Sequence, residues 1–212
     1  MYNIAVLVSG DGTNLQALLD AESNGVIAQG RIRLVVSNRK DAGGLSRAAR
    51  SGKKSVVIPR DDPELLIETI CAEGIDLIVL CGYLALLPES LIRMYPNRVI
   101  NIHPALMPLF SGKGFYGIKV HEAVIHSGMK VTGVTVHYAD EVFDNGPIIE
   151  QRAVLVLPDD TPETLRQRVL NTEHEVLVET VKAWTEGRVV SEGGKAWIIK
   201  GAEYIKRSGP IC

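Results

Sequence analysis

The chain has 212 residues, enough for one domain or one large α/β unit with a full core. Hydrophobic content of 46% and charged content of 23% are those of an ordinary globular protein, and a net charge of −2 argues against a polyanion-binding surface. No apolar run reaches about 18 residues, so nothing reads as a membrane span.

The amino-terminal segment MYNIAVLVSGDG lacks the cationic start and cleavage site of a signal peptide and reads as a strand that begins at once. The three cysteines, Cys71, Cys81 and Cys212, form no CxxC. The expectation is a cytoplasmic, reduced protein without structural zinc, with no nucleic-acid or membrane partner, as monomer or homodimer.

Residues 4–8 form an apolar, β-branched run that predicts a buried parallel strand. SGDGTN follows, then a helix with Leu15, Leu18 and Leu19 at helical spacing. Strands are expected over 33–37, 55–58 and 76–81, with helices over 44–51 and 64–73. A short helix over 88–95 leads to a strand over 99–102. This alternation predicts an α/β fold with a doubly wound, mostly parallel sheet. After a helix over 119–127, segments 131–138 and 146–156 predict an antiparallel pair extending the sheet edge, and 164–184 one long helix. Residues 1–185 read as one domain. Residues 186–212, with several glycines and an alternating AWIIK, read as a hairpin or irregular appendage packed on it.

Four constellations carry chemistry. Ser9-Gly10-Asp11-Gly12-Thr13-Asn14 joins a strand to a helix, where free N–H groups and the helix dipole suit a phosphate. Leu15 stands where a dinucleotide fingerprint needs its third glycine, and no P-loop lysine is present. In RVINIHPALMP, Asn101 and His103 are two residues apart and so share one face of a strand. An amide donor beside an imidazole suits acyl transfer, although a turn Asn and a satisfied strand-end His account for the pair equally well. In DEVFDNGP, 140–147, the acidic residues are either solvated turn residues or supply a strand-end carboxylate that meets His103 across the carboxyl edge of the sheet. Glu173 and His174 lie inside the long helix, where such residues are usually on the surface. The remaining histidines, His121, His126 and His137, have no HExxH spacing, so no metal is expected. The glycine-rich SGKGFYG, 111–117, reads as a loop that covers the site or as a solvated loop without a role.

Taken together, VLVSGDGTNLQALLD, SNRKDAGGLSRA, LIVLCGYLALLP, VINIHPALMP, TGVTVHYADEVFDNGPII and RVLNTEHEVL resemble the folate-dependent formyltransferase family, in its phosphoribosylglycinamide branch. The resemblance spans about residues 4–185 in order. It implies that 10-formyltetrahydrofolate is a cosubstrate and that the acceptor is the amine of glycinamide ribonucleotide, in purine biosynthesis. It further implies that Gly12, Thr13 and Asn14 hold the substrate phosphate through backbone donors and that Glu173 binds the ribose or glycinamide end. Leu84, Ala85, Leu86, Leu87 and Asn101 would border the pterin, with Arg60 as the basic folate contact. Asn101, His103 and Asp144 would be catalytic. Asn101 and a protonated His103 would stabilise an oxyanion, and Asp144 would keep His103 charged and hold a water for proton transfer. Members often carry Arg where this chain has Ala85, so only backbone contact is implied there. The rivals are a sibling formyltransferase or formyltetrahydrofolate hydrolase, expected to carry further domains, and a Rossmann-type nucleotide-binding oxidoreductase, which the missing glycine disfavours.

Overall fold

The structure is a computed structural model and describes residues 1–199. Strands β1 (Tyr2–Val8), β2 (Gly30–Ser37), β3 (Lys54–Val57), β4 (Leu77–Cys81), β5 (Val99–His103), β6 (Val131–Tyr138) and β7 (Ile148–Leu155) form one sheet in the order β3-β2-β1-β4-β5-β6-β7. β1 to β5 are parallel; β6 runs antiparallel to β5, and β7 to β6. The doubly wound sheet and its antiparallel edge extension are as expected. The strand order turns outward in both directions from β1 and β4, the topology that opens a crevice beyond the carboxyl ends of those strands.

Alternation along each strand divides the core. Ile4, Val6 and Val8 of β1 and Leu77, Val79 and Cys81 of β4 belong to one apolar cluster. That cluster is covered by α1 (Thr13–Ser23), by α5 (Ile118–His126) through Val124, and by α6 (Pro162–Thr185). Ala5, Leu7, Ile78 and Leu80 face the other cluster, under α3 (Pro63–Ala72) and α4 (Glu89–Met94). β1 and β4 are buried on both faces, which explains why their sequences run apolar instead of alternating.

α6 starts two residues before the expected position because Thr161 and Thr164 cap each other, side chain to backbone amide in both directions, with Pro162 in the first turn. α1 opens differently: its N-cap, Gly12, is left-handed (φ 71°), and no side chain caps the helix. A Cβ on Gly12 would lie 2.6 Å from the Cα of Gly44, in α2 (Gly43–Arg50), so this glycine is required by packing as well as by its backbone conformation. In the segment expected to form an appendage, β8 (Val189–Glu192) and β9 (Lys195–Ile198) make an antiparallel hairpin; residues 200–212 lie outside the described residues.

Candidate active site

A cleft of about 820 Å³ runs along the carboxyl edge of the sheet. Gly12, Thr13, Asn14, Leu84, Ala85, Leu86, Leu87, Asn101, His103, Asp144 and Glu173 all line it, so elements far apart in the chain share one site. Arg60 is a correction to the expected set. It is exposed in the turn before α3 and does not line the cleft, whose cationic side chains are Arg39, Lys113 and Arg166.

Asn101 and His103 end β5 and point to one side of it, as period two requires. The antiparallel register places His137 of β6 opposite Asn101. His137 Nδ1 lies 2.9 Å from the carbonyl of Tyr138, an acceptor only, so Nδ1 carries the proton. His137 Nε2 is then an acceptor, and Asn101 Nδ2 donates to it at 3.0 Å. The same amide nitrogen donates to Asp144 Oδ1 at 3.1 Å. The Gly112 amide donates to Asp144 Oδ2 at 2.9 Å, and His103 Nδ1 stands 3.4 Å from that oxygen. Asp144 is therefore no longer an open turn residue. It holds a left-handed backbone (φ 49°) that turns its carboxylate inward.

Burial pushes the Asp144 carboxyl up, but the His137 and His103 rings and the Gly112 amide outweigh it and hold the group below the ordinary carboxylate range. For His103 the balance goes the other way. Burial pushes its pKa down, and Asp144 and the Phe110 carbonyl only partly restore it. Asp144 thus favours the charged ring as expected, but desolvation of a ring that is only 4% exposed outweighs it. His103 Nε2 donates to the carbonyl of Phe110 at 2.8 Å, which ties the 109–117 loop to the site.

At the other end of the cleft, the uncapped first turn of α1 leaves backbone N–H groups for an anion. Arg47 braces the loop, donating to the Asp11 carbonyl at 2.7 Å and to Gln16 Oε1 at 3.2 Å. Glu173 is not a surface residue of α6. It is 8% exposed, and burial lifts its carboxyl to about 7 against the opposing effects of a hydrogen bond from Asn14 and the charge of Arg166. Ser9 joins the two halves of the site: its hydroxyl donates to Asn38 Oδ1 at 2.7 Å and accepts from the Leu84 amide at 2.9 Å. Leu84 and Leu86 remain half exposed on the cleft wall, and Leu87 is buried in the core. The described residues hold no group of three metal-ligating side chains and no helix long and apolar enough to cross a membrane.

His121 and His137, weighed in the sequence only as metal ligands, and Arg166 also line the cleft and were not read as site residues. Only Arg166 left a trace, because 166, 170 and 173 follow the i, i+4, i+7 spacing of one helix face.

An α/β sheet with a ligand-sized cleft at its carboxyl edge, an Asn-x-His-Pro strand end and a carboxylate folded back onto it suit an acyl-transferring class of protein. Residues 2–181 match the family model described as formyl transferase, and the chain belongs to that family. Among similar proteins, the chloroplastic phosphoribosylglycinamide formyltransferase of Arabidopsis thaliana is 42% identical over 194 residues, 88% of this chain and 66% of that protein. The chain therefore spans slightly less than two thirds of that plant relative. The phosphoribosylglycinamide formyltransferase of Haemophilus influenzae is 34% identical over 205 residues, covering 93% of this chain and 94% of the relative. The crystal structure of glycinamide ribonucleotide transformylase 1 from Symbiobacterium toebii superposes with a TM-score of 0.87 at 40% identity, covering 94% of this chain and 95% of that one.

Proposed function

We propose that this protein transfers the formyl group of 10-formyltetrahydrofolate to the amine of glycinamide ribonucleotide, a step of purine biosynthesis. The observation that carries the reading is that one cleft joins an uncapped helix start, suited to phosphate, to the Asn101–His103–Asp144 cluster. The folate is a cosubstrate because it leaves changed. Its flat pterin suits the wall formed by Leu84–Leu87 and by 139–144, where Val142 and Phe143 expose apolar surface.

In the reaction the amine nitrogen bonds to the formyl carbon, the bond from that carbon to N10 breaks, and one proton passes from the amine to N10. Asn101 can donate to the formyl oxygen as charge develops there once one of its two N–H groups leaves Asp144 Oδ1, while the other stays on His137. His103 offers a second donor once the Phe110 carbonyl gives up Nε2, and a proton gained in the charged complex is stabilised by Asp144. The low pKa of the Asp144 carboxyl keeps it ionised and able to orient a water between amine and N10. His137 holds Asn101 in place.

The test is the absorbance change on mixing the protein with 10-formyltetrahydrofolate, with and without glycinamide ribonucleotide. Formyl transfer dependent on the ribonucleotide supports the reading. Deformylation without it would indicate a hydrolase instead.

A further inference from the structure

The family likeness leaves open which side chain of this chain meets the charge of the ribonucleotide's phosphate. Backbone amides at Gly12–Asn14 supply donors but only the partial charge of a helix end. Arg166, Leu170 and Glu173 lie on one face of α6 and line the cleft. Glu173 takes its hydrogen bond from Asn14, so this face belongs to the phosphate end. The pterin wall lies across the sheet: Tyr83, Leu87 and Ala139 pack in the cluster under α3 and α4, whereas α1 and α6 cover the opposite one.

Other basic residues near this end are engaged. Arg168 is paired with Asp160, Arg39 with Asp41, and Arg47 is spent on the Asp11 carbonyl. Among the described residues, Arg166 makes no ion pair, yet its charge acts on both Glu173 and His121. His121, in the first turn of α5, is 2% exposed, lines the same cleft and leaves Nδ1 without a partner. Asn14 Oδ1, also buried, has no partner either. The orphaned Asn14 Oδ1 calls for a donor such as a ligand hydroxyl, His121 Nδ1 for a further polar group, and the unpaired guanidinium for an anion, so this wall is completed by a ligand carrying both hydroxyl and anionic groups.

We infer that Arg166 takes the phosphate charge of the acceptor substrate and so sets the preference for a phosphorylated over a dephosphorylated acceptor. A guanidinium matches phosphate geometry through paired donors, which a lysine supplies only as a point charge. This inference rests on the proposed function, and the experiment separates the two.

Steady-state rates would be measured for Arg166→Gln and Arg166→Lys with glycinamide ribonucleotide and with its dephosphorylated riboside. Because Arg166 is exposed and unpaired, both variants should fold. The expected result for Arg166→Gln is a fall of about tenfold or more in kcat/KM for the ribonucleotide, through KM. The riboside and the folate KM should be unaffected, and Arg166→Lys should recover part of the loss. An equal fall for both acceptors, or no fall, overturns the inference. If the wild type formylates neither acceptor, the functional reading fails, and calorimetry with ribose 5-phosphate decides about Arg166 alone. Weaker binding by Arg166→Gln then supports its role, and equal binding overturns it.

Discussion

His103 and Asp144 face each other across 3.4 Å, Nδ1 to Oδ2, in a pocket where the ring is buried and the carboxylate is held by the Gly112 amide and the Asn101 side chain. The carboxylate supports the imidazolium, and burial opposes it. The pKa of His103 is therefore set by two opposing forces, and removing either should move it measurably.

Asp144→Asn should lower the His103 pKa further, because the opposing charge that raises it is lost while burial remains. Turnover should fall by about a hundredfold or more, since the site loses both its imidazolium partner and the carboxylate that holds the relay water. NMR titration of His103 in both proteins, beside the rate, checks this. Unchanged titration and rate would leave Asp144 as a turn residue only.

His103→Ala should leave ligand affinity nearly intact and cut kcat by two orders of magnitude or more, about 3 kcal/mol, as for loss of one donor to a developing oxyanion. Single-turnover rates beside equilibrium binding separate the two quantities. Near wild-type kcat would remove His103 from the chemistry.

His137→Ala should act through Asn101. It strands an Asn101 Nδ2–H donor in a site where His137 is 1% exposed, costing roughly 1–3 kcal/mol of stability. It should also lower kcat with little change in either KM. Restoration of kcat by His137→Gln, which keeps an acceptor, would separate positioning from packing.

Glu173→Gln should change how stability depends on pH. The folded-state pKa of Glu173 is raised to about 7, so the folded protein binds a proton that the unfolded chain releases near 4.5. Its contribution is complete below 4.5 and is lost as pH rises to 7, about 3 kcal/mol at roughly 1.4 kcal/mol per unit. The variant should therefore be more stable than wild type at pH 8 and the same at pH 4, while binding the ribonucleotide less well. Denaturant midpoints at the two pH values measure this. His121, held down to about 4 by burial, gives the opposite slope between 6.5 and 4 in both proteins and cancels in the comparison.

Gly12→Val should unfold the start of α1 instead of selectively weakening phosphate binding. Its Cβ would meet the Gly44 backbone, and its φ is one that β-branched residues avoid. Thermal unfolding checks this: a native-like melting temperature with lost ribonucleotide affinity would contradict it.

The sequence by itself determined the sheet, because strands buried on both faces must run apolar and helices that cover them must repeat near 3.6 residues. It also determined that Asn101 and His103 share a face, since period two in a strand depends on nothing distant. The Gly12–Asn14 turn was legible as a phosphate site from its place between strand and helix, whereas the roles of Asp144 and Glu173 were named on a family resemblance and their physical setting came from elsewhere in the chain. Whether Asp144 is a solvated turn or a buried carboxylate depends on a positive φ and on Gly112, 32 positions away. The burial of Glu173 depends on α6 packing against α1, and the place of His137 on the antiparallel register between β5 and β6. The failure of Arg60 to reach the cleft has the same origin. Local propensity sets the elements, but which side chains meet, and how far water is excluded from them, is a property of the packed sheet edge alone.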